Sequence, residues 1–189
     1  MSYILKNLCA IIRGNSVCMW KFLLSRCNYS NPIRMFSGAE INISKGGKLE
    51  LGRGVAIGKR SVCTVRNGAL LKMGSMSNLN SDCKIVCHKR IEIGENTIFG
   101  PNVLVYDHDH LFDSVSGVHR KEYIQSEIII GRNCWIGANT VILRGSHIGD
   151  NCLIGAGSII RGNYEDGSII IQKRETEIKQ KLPKSKLEG

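Results

Sequence analysis

The chain has 189 residues, of which 42% are hydrophobic and only 6% aromatic, and it carries a net charge of +10. This length favours a single domain, and the shortage of aromatic side chains indicates a narrow core of aliphatic residues. No apolar run approaches the roughly eighteen residues of a membrane span. The sequence contains eight cysteines but neither a CxxC pair nor a secretory signal, which favours free thiols in a reducing cytoplasm.

Residues 1–38 predict a helical cap at one end of the fold. Tyr3–Arg13 and Ser16–Cys27 have the pattern of two short amphipathic helices on either side of Gly14. Helices usually cover the open end of a repeat array, which is the favoured role for this segment. Because no acidic residue precedes Glu40, association with an anionic membrane surface at the inner face of the membrane is the alternative.

Residues 39–172 contain a repeat of six residues. An aliphatic residue recurs at every sixth position at Ile130, Ile136, Ile142, Ile148, Ile154 and Ile160, and the same spacing occurs upstream at Leu51, Ile57 and Cys63. A period of six fits neither an α-helix nor a single strand, whereas it fits a coil whose three sides are each one short strand and a corner. The segment therefore predicts an all-β, single-stranded parallel β-helix of about six coils.

Small residues follow four positions after the aliphatic residue of each repeat. Cys134 and Cys152 are two of them, and they are eighteen residues apart, or one full coil. We expect them to be buried and stacked on each other as inert thiols, with a metal or redox pair as the alternative.

The repeat is interrupted once, and residues 106–127 are expected to leave the coil as an external loop. This segment holds two histidines and three aspartates between Asp107 and Asp113, followed by His119 and Arg120. A long loop on a rigid scaffold is typical of a functional site, and imidazole beside carboxylates can act as a general base. The spacing alone does not distinguish this role from that of a solvated polar loop.

The segment Ile128–Ile160, which includes the runs Ile130–Gly137 and Ile154–Ser158, resembles the hexapeptide-repeat acyltransferases. The likeness is closest to the sugar O-acetyltransferases, both the maltose, galactoside and nodulation type and the capsular or lipopolysaccharide type. The resemblance implies a left-handed β-helix, acetyl-CoA as co-substrate, and a homotrimer with active sites between subunits. It also implies a sugar or glycan acceptor, and therefore a role in surface polysaccharide biosynthesis.

Counted without a gap from the Ile93–Gly94 hexad, His110 matches the catalytic histidine of the galactoside type. The resemblance implies that His110 is the general base that deprotonates an acceptor hydroxyl, which then attacks the thioester of acetyl-CoA. His108 and Asp109 are expected to orient it as further members of the catalytic group.

Acceptor contacts are expected from Asn80, His88 and Asp107. Asn80 occupies the position of a sugar-binding asparagine in the family, and it is retained. His88 stands where the galactoside enzymes have a sugar-binding aspartate, a departure that changes the hydrogen-bonding groups offered to the acceptor.

Acetyl-CoA contacts are implied for Trp135, beside the acetyl arm, and for the backbone of Ala138 and Ala156. The CoA phosphates need cations, for which the candidates are Arg161, Lys173 and Arg174, the last two at the start of a basic tail of residues 173–189. No bound metal is expected.

Two other functions remain open at this stage. His88, His108 and His110 resemble the three-histidine zinc site of the γ-class carbonic anhydrases, which share the β-helix. The net charge also permits a non-enzymatic basic scaffold on an anionic surface, although no nucleic-acid-binding motif accompanies it.

Overall fold

The computed structural model describes residues 2–24, 26–173 and 175. It is a parallel β-solenoid of about six turns, with one helix before it and one antiparallel hairpin projecting from it. The predicted all-β parallel coil is therefore confirmed, while its left-handed sense stays a prediction from the resemblance. Arg174 and residues 176–189 of the basic tail lie outside the described residues.

Three parallel sheets form the sides of the solenoid. The first sheet consists, in hydrogen-bonded order, of β1 (Cys27–Tyr29), β4 (Lys48–Leu51), β7 (Leu70–Met73), β10 (Arg90–Ile93), β15 (Ile128–Ile130), β18 (His147–Ile148) and β21 (Asn163–Tyr164). The second consists of β2 (Arg34–Met35), β5 (Ala56–Ile57), β8 (Asn78–Leu79), β11 (Ile98–Phe99), β16 (Trp135–Ile136), β19 (Leu153–Ile154) and β22 (Ile169–Ile170). The third consists of β3 (Glu40–Ile43), β6 (Val62–Val65), β9 (Lys84–Cys87), β12 (Leu104–Tyr106), β17 (Val141–Leu143) and β20 (Ile159–Ile160).

The corners between these sheets explain the recurring Gly and Asn residues. Asn96, Asn133 and Asn151 adopt φ values of 55°, 57° and 57°, a left-handed conformation that asparagine tolerates better than most residues. Their side-chain amides hydrogen-bond in a ladder from coil to coil, at 3.3 Å and 3.2 Å. A Cβ on Gly137 would lie 2.5 Å from the backbone nitrogen of Ala156, so glycine is required there for the coils to approach.

The interior consists of stacked aliphatic residues with small residues between them. Cys134 and Cys152 are buried and in register one coil apart, as their spacing predicted. Burial raises the pKa of the Cys134 thiol, which keeps it protonated. No disulfide joins any of the eight cysteines, all of which lie among the described residues.

The segment before the solenoid is one helix, α1 (Tyr3–Leu23), and not the two predicted helices. The predicted break at Gly14 is wrong, because this glycine serves the packing of the helix on the solenoid. A Cβ there would lie 2.3 Å from the carbonyl oxygen of Ile33. Within the described residues, no helix has the length and apolar character needed to cross a bilayer.

The segment expected as an external loop is a β-hairpin. Strand β13 (His108–Asp113) pairs antiparallel with β14 (Gly117–Gln125), and the register shifts between His110 and Leu111. Strands were not predicted there because the alternation of apolar and polar residues that signals a half-buried strand is absent from a hairpin with two exposed faces.

Candidate active site

The hairpin leaves the solenoid at the corner between the third and first sheets. In the preceding coil this corner carries His88, which follows β9, and in the next coil it carries Arg144, which follows β17. Parallel register therefore stacks His88, the start of the hairpin and Arg144 along one edge of the solenoid. Residues far apart in the sequence meet at this edge.

Asp107 supports this edge from within. Its side chain is fully buried, with Oδ1 accepting the backbone N–H of His88 at 2.7 Å. Oδ2 accepts the N–H groups of Lys89 and Arg90 at 2.7 Å and 2.9 Å. The carboxylate of Asp107 therefore holds the turn that carries His88, and its expected contact with the acceptor stays a prediction.

Three imidazoles surround the ring of Tyr123. His88 and His108 are stacked, with ring centroids 3.6 Å apart and planes inclined by 15°. Tyr123 lies 4.5 Å from the centroid of His88, 5.5 Å from that of His108 and 4.7 Å from that of His110. Tyr123 was not predicted, since only the pairing of β13 with β14 brings it opposite His110.

His88 is held in its neutral form. Burial of its imidazole and, to a smaller extent, the electrostatic interaction with the neighbouring His108 ring lower the pKa of His88 to about 4. At neutral pH its ring therefore offers one donor and one acceptor nitrogen and no charge. This differs chemically from the aspartate found at the matching position in the galactoside enzymes.

His110 is exposed on the outer part of the hairpin, and the opposite strand orients it. Its Nδ1 lies 3.4 Å from the backbone carbonyl oxygen of His119. A carbonyl oxygen can only accept a hydrogen bond, so this contact favours the tautomer with the proton on Nδ1. The Nε2 atom then carries the lone pair, as a general base requires.

Asp109 pairs with Arg144, and its expected role in orienting His110 stays a prediction. Its carboxylate accepts a hydrogen bond from Nε of Arg144 at 2.5 Å. This ion pair ties β13 to the corner of the next coil. Arg144 was not anticipated, because nothing in its local sequence indicates that it lies below the hairpin.

A second polar cluster lies at the tip of the hairpin. Oδ1 of Asp113 accepts the backbone N–H groups of Val115 and Ser116, and Oδ2 lies 2.5 Å from Nε2 of His119. The other ring nitrogen of His119 faces Glu122 at 3.3 Å. The Asp113 carboxylate raises the pKa of His119, and hydrogen bonds from the Ser116 hydroxyl and then from His119 lower the pKa of Asp113. The cluster closes the turn that places the His119 carbonyl beside His110.

The remaining predicted contacts lie on the other edge of the third sheet. Asn80, Ala138 and Ala156 follow β8, β16 and β19, at the corner between the second and third sheets, and Lys173 extends the same column beyond β22. Trp135 is exposed on β16 just before this corner. A four-residue strand of about 13 Å separates this column from the histidine edge. Arg161 follows β20 and lies on the histidine edge instead.

The histidines do not converge on one point. The near-parallel rings of His88 and His108 direct their nitrogens in separate planes, which does not suit joint ligation of one ion. Among the residues that the structure describes, no group of three or more histidine, cysteine or acidic side chains has the geometry of a metal site.

Comparisons with known proteins agree with the repeat. Residues 127–162 match the family described as bacterial transferase hexapeptide (six repeats). A probable acetyltransferase of Mycobacterium tuberculosis is 29% identical over 80% of this chain and 53% of its own length, and nodulation protein L of Rhizobium leguminosarum bv. viciae is 33% identical over 41% of this chain and 40% of its own. The chain thus spans about half the length, or less, of these relatives.

Two solved structures share the fold. An AntD N-acyltransferase variant of Bacillus cereus, in complex with dTDP-4-amino-4,6-dideoxyglucose and coenzyme A, matches with a TM-score of 0.67 at 18% identity, over 89% of this chain and 92% of that one. A hexapeptide-repeat acetyltransferase of Vibrio cholerae in complex with acetyl-CoA matches with a TM-score of 0.56 at 21% identity, over 70% and 65%. Residues 127–162 thus carry the hexapeptide repeat of the bacterial transferases, and the chain shares the fold of these two acyltransferases.

Proposed function

We propose that this protein is an O-acetyltransferase that moves the acetyl group of acetyl-CoA to a hydroxyl of a sugar or glycan precursor of a surface polysaccharide. The proposal depends above all on His110, an exposed imidazole whose Nδ1 faces a backbone carbonyl, a contact that favours the tautomer with the lone pair on Nε2. The match of residues 127–162 to the transferase hexapeptide family and the similarity to a probable acetyltransferase support the reaction class.

In the proposed reaction, Nε2 of His110 accepts the proton of the acceptor hydroxyl while the oxygen attacks the thioester carbonyl. A tetrahedral intermediate forms and then collapses with cleavage of the carbon–sulfur bond. The departing CoA thiolate takes the proton from the His110 imidazolium, so the imidazole returns to its neutral form. The carbonyl of His119 keeps the ring oriented throughout, since Nδ1 remains protonated in both states.

The acetyl-CoA arm is assigned to the corner that carries Trp135, Ala138 and Ala156, with the phosphates near Lys173 and Arg174 or near Arg161. This corner and His110 lie on opposite edges of the third sheet of one chain. We therefore propose a homotrimer in which His110 of one subunit faces the acetyl-CoA corner of its neighbour. Convex solenoid sides have no deep cleft, and a groove between two subunits supplies one.

The acceptor is assigned to the surface around His88 and His110, with Asn80 contributed from the neighbouring subunit. Neutral His88 can donate and accept hydrogen bonds to sugar hydroxyls. The AntD enzyme crystallised with an amino-sugar nucleotide, so amino sugars belong among the acceptors to test. Because acetyl-CoA is a cytoplasmic metabolite and all eight cysteines are unpaired, we place the activity in the cytoplasm.

The test is a thiol-release assay with acetyl-CoA and a panel of free sugars, nucleotide sugars, amino sugars and lipid-linked glycans. O-acetylated product with at least one neutral sugar, identified by mass spectrometry and lost on mild base treatment, is expected. If product forms only with amino sugars and is stable to base, the reaction is N-acetylation and the proposed O-acetylation is wrong. If light scattering shows a monomer and that monomer is fully active, the proposed site between subunits is wrong.

A further inference from the structure

Helix α1 uses one face to cover the end of the solenoid. Ala10, Gly14 and Cys18, at successive spacings of four residues, are its buried positions. Side-chain hydrogen bonds fix this face: Arg13 donates to the carbonyl of Met35 at 3.0 Å, and Oδ1 of Asn15 accepts the N–H of Ile33 at 3.0 Å. The rotation of the helix about its axis is therefore set by the solenoid.

The opposite face of α1 is exposed and largely apolar, with Ser16 among its apolar side chains. We name this face the outer stripe, and its members are Leu5, Leu8, Ile12, Met19 and Leu23. At 100° per residue, Ile12 and Leu23 lie about 160° and about 180° around the helix from Gly14. Leu8, Ile12 and Leu23 are 52%, 59% and 69% exposed. A helix that serves only as a cap needs no apolar residues on this side.

Cations flank the outer stripe on both sides. Lys6 and Arg13 line a surface cleft together with Lys59 on one flank. Arg34 lines a cleft with Leu8 on the other flank. No acidic residue occurs on α1, so these charges have no opposing partner on the helix itself.

We propose that the outer stripe of α1 docks in the headgroup region of an anionic phospholipid bilayer. An apolar face of about 30 Å bordered by cations and by Trp20 is the composition of a helix that lies in the plane of a membrane surface. Capping and membrane docking use opposite faces, so the two roles coexist. A second copy of α1 is a poorer partner for the outer stripe, because pairing two stripes would bring their flanking cations together.

Flotation of the full chain with liposomes tests the proposal. We expect binding to phosphatidylcholine vesicles that contain phosphatidylglycerol, weaker binding to pure phosphatidylcholine vesicles, and loss of binding with added salt. The double variant Leu8→Gln/Ile12→Gln should bind at least about tenfold more weakly, because it removes two inserting side chains while glutamine preserves helix propensity. The Met76→Gln/Val115→Gln variant removes two exposed apolar side chains elsewhere and should bind as the wild type does.

Fluorescence provides a second readout that does not depend on folding of the stripe variants. With Trp135 replaced by phenylalanine, Trp20 is the one remaining tryptophan, and its emission should shift to the blue with anionic vesicles. A wild-type protein that stays unbound to anionic vesicles would overturn the proposal. Equal binding to anionic vesicles by the Leu8→Gln/Ile12→Gln variant and the wild type would also overturn it. A lower oligomer mass for that variant, together with no vesicle binding by the wild type, would instead identify a second copy of the chain as the occupant of the outer stripe.

Discussion

The imidazole of His88 stacks on that of His108 at a centroid distance of 3.6 Å, and the buried carboxylate of Asp107 supports both. Oδ1 of Asp107 accepts the backbone N–H of His88 and lies 3.4 Å from Nδ1 of His108. One buried carboxylate thus sets the positions of two rings from neighbouring coils.

His88 should make folding stability depend on pH. Its pKa is lowered from 6.5 to about 4 in the folded chain, so between these values the unfolded state binds more protons. The free energy of unfolding should therefore fall as pH is lowered from about 6.5 to about 4, and His88→Gln should remove part of that fall. The raised pKa of His119 acts with the opposite sign, since its contribution is lost as pH rises through that raised value. The contribution of His119 is present in both the wild type and the His88→Gln variant, so it cancels in the difference between their free energies of unfolding. Urea unfolding across this pH range measures the effect, and parallel curves for the two proteins would contradict it.

Asp107→Asn should destabilise the fold by about 2–4 kcal/mol, because the buried carboxylate accepts three backbone N–H groups and an amide presents its NH₂ to at least one of them. Asp113→Asn on the exposed hairpin is the matched control, and its cost should be clearly smaller because solvent screens the exposed carboxylate. Chemical denaturation gives both values. If the two substitutions lower the free energy of unfolding equally, burial of the Asp107 carboxylate does not increase its contribution to stability.

His110→Ala should lower kcat about 10²–10⁴-fold with little change in the KM for acetyl-CoA, since a general base acts on the proton in transit. His108→Ala should lower kcat less, because that ring stacks on His88 and has Asp107 behind it. Steady-state kinetics with the best acceptor provide the measurement. Near-normal turnover of the His110 variant, with loss in the His108 variant, would reassign the base.

Tyr123→Ala should reduce turnover about tenfold or more, because the ring packs on His110 and on the His88–His108 stack, and misplacement of a base by about 1 Å costs roughly 10² in rate. Tyr123→Phe should retain most activity, since the hydroxyl donates only a long hydrogen bond of 3.5 Å to the carbonyl of Arg120. If both variants lose activity equally, the Tyr123 hydroxyl takes part in the reaction, and packing of the ring does not by itself explain the loss of turnover.

Lys173→Ala and Arg161→Ala distinguish the two corners at which the CoA phosphates can bind. The variant at the correct corner should raise the KM for acetyl-CoA severalfold and spare kcat, because a phosphate contact is equal in the ground and transition states. Lys48→Ala, an exposed cation on β4, should leave KM unchanged. An unchanged KM in both test variants would place the nucleotide elsewhere.

Much of the fold follows from local spacing. The repeat of six predicts the coil, its interior residues and the stacking of Cys134 on Cys152, because each coil repeats the environment of the last. Gly14 shows the limit of such reasoning, since a glycine between two amphipathic stretches has the same local pattern whether it ends a helix or packs one. Only contact with Ile33 distinguishes the two.

The sequence by itself determined the solenoid, the place where the hairpin leaves it and the histidines that the hairpin carries, because these depend on periodicity along the chain. Only the tertiary structure decided what surrounds those histidines. Asp107 is buried under His88, Asp109 pairs with Arg144, and Tyr123 faces His110. These contacts depend on which corners of successive coils stack and on the register of one antiparallel pair. Neither leaves a periodic trace in the sequence, since each is made once between segments distant along the chain.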